Sequence, residues 1–418
     1  MTERATTSAH LHDAVWLKRG EVKDLLAALD RDGEEARVVG GAVRNELLHL
    51  AVKDIDVATT AVPEEVARRV EAAGWKAVPT GIEHGTITVV IGGKPFEVTT
   101  LRRDIETYGR KAKVVFGRDW TADAQRRDFT VNALSATADG TIYDYVGGLA
   151  DIDARHVRFI GDPAQRIAED YLRILRFFRF HAWYGAGAPD AAGLHACIAA
   201  RAGLETLSRE RVRMELLKLL LAPHAAPVLA AMAEAGLLGA VLGGVPLLAG
   251  FENVVKAEAA MGVAPSAARR LGALGVLVKE DAERLAERLR LSNAEAERLN
   301  ALDHWWRVSP SNGDKAAHAL LYHVGVQSFI DRVLLAWSRS RAGASDHAWR
   351  ELASLPGRWT APSFPLKAAD IMSRGIAAGP ALGAALRRAE QFWIAADFPA
   401  ARAALDAIAD RAAREGGL

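Results

Sequence analysis

The chain has 418 residues, 50% apolar and 25% charged, an ordinary soluble composition with room for two or three domains and a sizeable core. Its 53 basic and 52 acidic residues leave a formal charge of +1, so any basic surface for nucleic acid has to be a local patch. A single cysteine, Cys197, excludes an internal disulfide and a multi-cysteine zinc site, and the opening MTERATTSAH has no apolar signal core, so a reducing, cytoplasmic setting is expected.

In chain order, residues 13–31 predict one amphipathic helix. From about 37 to 160, short β-rich runs alternate with turn signals: RVVGG, KDIDVAT, GTITVVIGG, PFEVTTLR, TIYDYVGG and HVRFIGD. PEEVARRVEAAGW (63–75) interrupts them as a helix opened by Pro63 and two glutamates. This predicts a small α/β domain with a mixed sheet. After Asp162 nearly everything reads as helix, with breaks near 185–189, 222–227, 243–250, 307–313 and 355–365. VLAAMAEAGLLGAVLGGVPLLAG (228–250) is long and apolar enough for a bilayer, but Glu234 and the Gly-Gly-Val-Pro at 243–246 make it two short buried helices and a turn.

Four stretches carry possible chemistry. In RVVGGAVRNELL (37–48) a strand runs through Gly40-Gly41 into a helix bearing Arg44, where bare backbone and free N–H groups suit phosphate; alone, a Gly-Gly is more often a tight turn than a phosphate site. KDIDVATT (53–60) puts Asp54 and Asp56 on one face of a strand, roughly 6–7 Å apart, as two metal-binding carboxylates or as the solvent side of an ordinary strand. Glu97 in KPFEVTTLR is a third acidic candidate, although by itself it reads better as a solvated strand residue. QRRDFTVNAL (125–134) places Arg126, Arg127 and Asp128 before a helical run ending at Asn132, suited to triphosphate and ribose or to a capped helix, with Asp128 as the cap. RIAEDYLRILRFFRF (166–180) is expected as one helix lining up Asp170, Arg173 and Arg176, with a Glu169–Arg173 pair one turn apart; its four arginines, including Arg179, exceed what a plain surface needs.

With these stretches in this order, the sequence resembles the class II CCA-adding enzymes and bacterial poly(A) polymerases. The likeness rests on GGAVR, KDID, RRDFTVNAL, DYVGGLADI (144–152) and IGDPAQRIAEDYLRILR (160–176), extends over about 37–216, and continues weakly at 364–383. It implies an α+β architecture: an N-terminal helix (1–35), a polymerase-type nucleotidyltransferase head with a mixed sheet (36–155), a base-recognising helical neck (156–225) and a tRNA-binding helical body and tail (226–418). It further implies Asp54 and Asp56 as ligands of two Mg²⁺ ions and Glu97 as the third acidic catalytic residue. Gly41, Arg44, Arg126, Arg127, Asp128 and Asn132 would bind the triphosphate and ribose. Asp170 and Arg173 would read the base, with Arg176 and Arg179 supporting. Cytosine and adenine share an amine donor beside a ring-nitrogen acceptor, which an Asp–Arg pair complements and which guanine and uracil reverse.

The sequence departs from the family at Asn45, where an Asp is usual, in a loosely matching loop at 102–120 with Arg103, Asp104 and Arg110 as candidate contacts, and at Ala368-Ala369. The absence of a basic GRRF-type segment favours tRNA over polyadenylation, and the charged loop argues against a CC-only enzyme. The expectation is therefore addition of C, C and A to the tRNA 3′ end from CTP and ATP, with no membrane and no obligatory protein partner. A-only addition and polyadenylation are the alternatives within the family; an inactive RNA-binding regulator is the alternative of another class, disfavoured because both aspartates are present. Arg209, Arg211 and Arg213 are equally candidate contacts to the tRNA acceptor arm and solvated helix charges, and are left unassigned.

Overall fold

The computed structural model describes residues 10–82, 85–108 and 111–415. These form two compact units, 1–241 and 242–418.

The first unit opens with α1 (Gly20–Leu29), β1 (Ala36–Val39), α2 (Gly41–Leu47), β2 (Asp56–Thr59) and α3 (Pro63–Ala72). β3 (Lys76–Gly81), β4 (Thr86–Ile91), β5 (Lys94–Thr100) and the pair β6 (Arg102–Tyr108) and β7 (Lys111–Phe116) follow. Next come α4 (Trp120–Gln125), β8 (Ser135–Ala136), β9 (Ile142–Tyr143) and α5 (Gly148–Asp153). Seven strands make one mixed sheet in the order β3-β4-β5-β2-β1-β8-β9, while β6 and β7 form a separate hairpin. Only β2 and β5 run parallel, and their register sets Asp56 beside Glu97. Alternation along β5 buries Phe96 and Val98 and leaves Glu97 on the opposite face. Helices α1 and α3 contact the sheet and each other. Leu25, Leu26 and Leu29 of α1 are fully buried, which is worth about 1.5–3 kcal/mol each.

Several expectations need correction. The helix expected over 13–31 starts only at Gly20. Before it, Leu11 N–H bonds the Gly140 carbonyl at 2.8 Å and Trp16 donates to Glu46 at 2.8 Å, so tertiary contacts hold that stretch as turns. α3 stops at Ala72, short of Trp75, because Gly74 (φ +78°) lets Trp75 N–H reach the Val70 carbonyl at 3.0 Å. HVRFIGD is not a strand but a loop pinned by a single bridge between Phe129 and Phe159. Asp54 precedes β2 rather than sharing it with Asp56. The 102–120 loop contains the β6–β7 hairpin; the side chains of Arg103 and Asp104, and Arg110 itself, lie outside the described residues.

Helices α6 (Pro163–Glu169), α7 (Leu172–Tyr184), α8 (Ala191–Ala199), α9 (Arg209–Leu220), α10 (Ala225–Glu234) and α11 (Leu237–Leu242) continue the chain. The single helix expected over 166–180 is broken at Asp170, whose backbone is extended (φ −157°, ψ 109°). Asp170 Oδ1 accepts from Leu172 N–H at 3.1 Å and so opens α7. Tyr171 at this corner packs on Gly203, where an added Cβ would lie 2.0 Å from the ring.

Among its described residues the second unit has helices and no strands: α12 (Leu248–Met261), α13 (Ala267–Gly275), α14 (Lys279–Leu289), α15 (Asn293–Asn300), α16 (Gly313–Arg339), α17 (His347–Arg358), α18 (Ala368–Met372), α19 (Pro380–Ala395) and α20 (Arg402–Arg414). Gly325 (φ +73°) kinks α16. The stretch 228–250 holds three helical pieces rather than the expected two, the end of α10, all of α11 and the start of α12, with the expected break after Leu242 and another at 235–236; among the described residues no helix is long and apolar enough to cross a membrane.

Candidate active site

A cleft of about 750 Å³ opens on the Glu97 face of the sheet, within the usual size range for small-ligand sites. It is lined by every candidate site residue except Asp54 and Arg179. Its acidic wall comes from the parallel pair β2–β5: Asp56 and Glu97, side by side and exposed to the cleft. Asp56 has its pKa raised, first by the protein crowded around it and then by the negative charges of Glu97 and Asp54. Because the side chain faces open water, the repulsion among the three carboxylates is the part of this shift with functional meaning. A cation would relieve it.

Among the described residues no three His, Cys, Asp or Glu groups converge tightly enough to hold a metal by themselves. The donor set nevertheless fits magnesium, which prefers oxygen ligands and completes its shell with substrate phosphates and water.

The opposite wall is cationic. Buried Asp123, 3% exposed, holds Arg126 and Arg127 together: Arg126 Nε donates to Oδ1 at 3.0 Å and Arg127 Nη2 to Oδ2 at 3.0 Å. Burial alone would raise the Asp123 pKa, but the two guanidiniums outweigh it and hold it below the usual range. Asp128 behaves similarly. Its burial is overcome by Arg176, whose Nε donates at 2.7 Å, and by hydrogen bonds from Asn132 and the Phe129 N–H, so it stays ionised. Asp128 does not cap a helix. The segment after it is a single 3-10 turn, Thr130–Asn132, with Phe129 as its N-cap, and α4 ends before Arg126.

This turn is buttressed by the DYVGGLADI segment. Asp144 accepts four backbone N–H bonds from Val146 to Leu149 at 2.9–3.1 Å, and Asp151 accepts from the Thr130 hydroxyl. Gly148 permits the approach, since a Cβ there would sit 2.4 Å from the Thr130 carbonyl oxygen. The motif is therefore a structural support for Asn132.

Arg44 is 6% exposed and stacks 4.0 Å from the Tyr184 ring centre. Phe180 lies under three guanidiniums, those of Arg44, Arg176 and Arg179, at 5.4, 5.3 and 4.3 Å. With seven residues, α2 is too short to offer much of a dipole, so Gly40 and Gly41 contribute close backbone approach instead. Arg179 stands behind the cleft, paired with buried Glu215 of α9.

At the far end the corner at Asp170 projects into the cleft. The predicted Glu169–Arg173 pair forms, and Arg173 Nη1 also donates to the Arg166 carbonyl at 2.7 Å. Asp170 pairs with Arg211 of α9 instead of Arg173. Sequence reasoning left Arg211 unassigned and passed over Asp123 and Tyr184. No local signal marks Arg211, because its partner lies 41 positions away. Asp123 had one: an acid three and four residues before the paired arginines, within reach of both on a helix.

A carboxylate pair facing a bank of arginines, on a mixed sheet with parallel central strands, suits a nucleotidyltransferase, and the relatives of the chain are of that class. The poly A polymerase head domain family matches residues 36–158, and the family described as a probable RNA and SrmB-binding site of polymerase A matches 192–249. A mitochondrial CCA tRNA nucleotidyltransferase 1 of Danio rerio is 35% identical over 86% of this chain and 83% of its own length. A CCA-adding enzyme of Limosilactobacillus fermentum is 33% identical over 87% and 90%. The solved CCA-adding enzyme of Bacillus stearothermophilus in complex with CTP superposes with a TM-score of 0.71 at 30% identity, over 90% of this chain and 93% of that one. The chain belongs to the family of CCA-adding enzymes (tRNA nucleotidyltransferases) and bacterial poly(A) polymerases.

Proposed function

We propose that this enzyme adds C, C and A to the 3′ end of tRNA from CTP and ATP without a nucleic-acid template. The observation that carries this reading is the cleft itself, with Asp56 and Glu97 on one wall, Arg44, Arg126 and Arg127 on the other, and Asp170 at its corner. Asp54 and Asp56 hold Mg²⁺, two ions in all, and Glu97 is the third catalytic carboxylate. Bound Mg²⁺ supplies activation of the RNA 3′ hydroxyl and charge neutralisation at the phosphates. Arg44, Arg126 and Arg127 grip the triphosphate and keep its α-phosphate in line with the incoming hydroxyl, while Gly41 allows the backbone close to it. Asp128 and Asn132 meet the ribose. Asp170 accepts from the exocyclic amine of C or A, and Arg173, whose hydrogen bonds among the described residues run through Nη1, donates one of its remaining N–H groups to the ring nitrogen. Arg211 holds Asp170 in place, and Arg176 holds Asp128. The head corresponds to 36–155, the base-reading neck to 156–225, and the helices beyond to tRNA binding. Reaction in the cytoplasm belongs to the same proposal.

The test uses transcripts of one tRNA ending at the discriminator base, at C and at CC, offered labelled CTP, ATP or both with Mg²⁺. Two C, then one A, then arrest is the expected product. A added only to the CC-ending transcript would replace the proposal with A-only addition. Long A-tails on any RNA would replace it with polyadenylation. Tight tRNA binding without incorporation would make the protein a regulator.

A further inference from the structure

The clamp on Arg44 is built from neutral groups. Asn45 Oδ1 accepts from Arg44 Nε at 3.2 Å and from Nη2 at 2.8 Å, so one neutral oxygen takes two N–H groups where a carboxylate would offer two charged oxygens. Nη1 donates to Asn132 Oδ1, and Nη2 also donates to the Tyr184 hydroxyl at 2.9 Å. Among the described residues no carboxylate hydrogen-bonds to this guanidinium, although it is 6% exposed. Burial is the main cause that lowers its pKa, and the carboxylate acting on it at longer range, Asp128, is already committed to Arg176. A buried cation without a paired anion is costly, and an arriving anion relieves that cost.

The other end of the amide is also engaged. Asn45 Nδ2 donates to the Ala51 carbonyl at 3.1 Å, and Leu50 N–H returns a bond to the Asn45 carbonyl at 2.8 Å. An aspartate at this position would set one carboxylate oxygen against the Ala51 oxygen, so the site uses both faces of an amide. Ala51 starts the short run that leads to Asp54 and Asp56.

We propose that Asn45 is a positioning residue that locks Arg44 in place without neutralising it, keeping the buried cation available for the triphosphate, and that the same amide fixes the loop leading to the two aspartates. This rests on the reading of Arg44 as a triphosphate contact. An aspartate at 45 would satisfy Arg44 in the free enzyme, so that phosphate oxygens would have to compete with it.

The test compares the full chain with Asn45→Asp and Asn45→Ala, using inorganic pyrophosphate as the probe in thermal melts and direct binding, and then steady-state incorporation. Asn45→Asp is expected to weaken pyrophosphate binding about tenfold and raise the nucleotide KM by a similar factor, with kcat changed less than about threefold. Asn45→Ala frees both Arg44 and the loop, so it lowers kcat as well as raising KM. Pyrophosphate affinity and KM unchanged in Asn45→Asp, or unchanged kinetics in Asn45→Ala should the aspartate variant not fold, would overturn the proposal. Failure of the wild-type chain to bind pyrophosphate would also overturn it. Pyrophosphate binding weakened by Asn45→Asp in a protein that extends no tRNA supports the clamp while removing the proposed function, so the two can fail separately.

Discussion

Two regions of this protein concentrate charge, and they do so differently. In the second unit, fully buried Arg269 donates to Glu258 and to Asp331, each at 2.8 Å. Arg270 takes the other oxygen of Glu258, while Arg298 and Gln327 complete Asp331. Every charge there faces a partner. The cleft of the first unit is lined by seven arginines against four carboxylates, and it opens to water. Density of charge is therefore a poor marker of function. Charge held in place by other side chains yet open to solvent, as Asp123 holds Arg126 and Arg127 at the cleft, is a better one.

The largest effect should come from the acidic wall. Asp56→Asn is expected to cut nucleotide incorporation at least about a thousandfold, measured as single-turnover extension of a tRNA transcript. It should not destabilise the chain. Since the folded-state pKa of Asp56 is raised, stability falls as pH rises from the ordinary carboxylate value through the raised one. The variant should therefore melt higher than wild type at neutral pH, with the gain vanishing in acid. A lower melting temperature at pH 7 would break the distinction between the two regions.

Removing a partner from the buried network should do the reverse. Asp331→Ala leaves buried Arg269 with Glu258 alone, which Arg270 also uses, and takes the carboxylate from Arg298; this should cost about 3 kcal/mol and appear as a lowered denaturant midpoint. Nucleotide affinity at temperatures where the variant remains folded should be unchanged.

A smaller effect is expected at Arg211→Ala, which frees Asp170 from its partner. The ratio of kcat/KM for CTP and ATP over UTP and GTP should fall about tenfold. Preserved selectivity would show that the α6–α7 corner holds Asp170 without help from α9.

Cys197 should give no effect at all. It is fully buried and desolvation pushes its thiol pKa well up, so thiol reagents should label it slowly in the native protein and leave incorporation intact.

Much of this site was legible in the sequence because its parts sit on short local units. The strand, Gly-Gly turn and helix bearing Arg44 formed where expected, and the alternation of β5 put Glu97 opposite Phe96. The parallel register that sets Glu97 beside Asp56 was not legible, since nothing local specifies which strands pair. Nor was the break at Asp170. Glu-Asp-Tyr-Leu reads as continuous helix, and what opposes it is tertiary: the pull of Arg211 and the seat of Tyr171 on Gly203. Asn45 was visible as an unusual residue, but its two-sided use depends on the fold of the 48–53 loop. The head sheet was expected from its β-rich runs, whereas the 13–31 helix was shortened by contacts with Gly140 and Glu46 that lie far along the chain.

The central claim is that the open, charged cleft binds C and A nucleotides through Asp170 and Arg173. It is tested most directly by equilibrium binding of each of the four ribonucleoside triphosphates to the free protein with Mg²⁺ and no RNA. CTP and ATP should bind at least about tenfold more tightly than UTP and GTP, and Asp170→Asn should erase that preference. Equal binding of all four nucleotides to the wild-type protein, or a preference that survives Asp170→Asn, would contradict it.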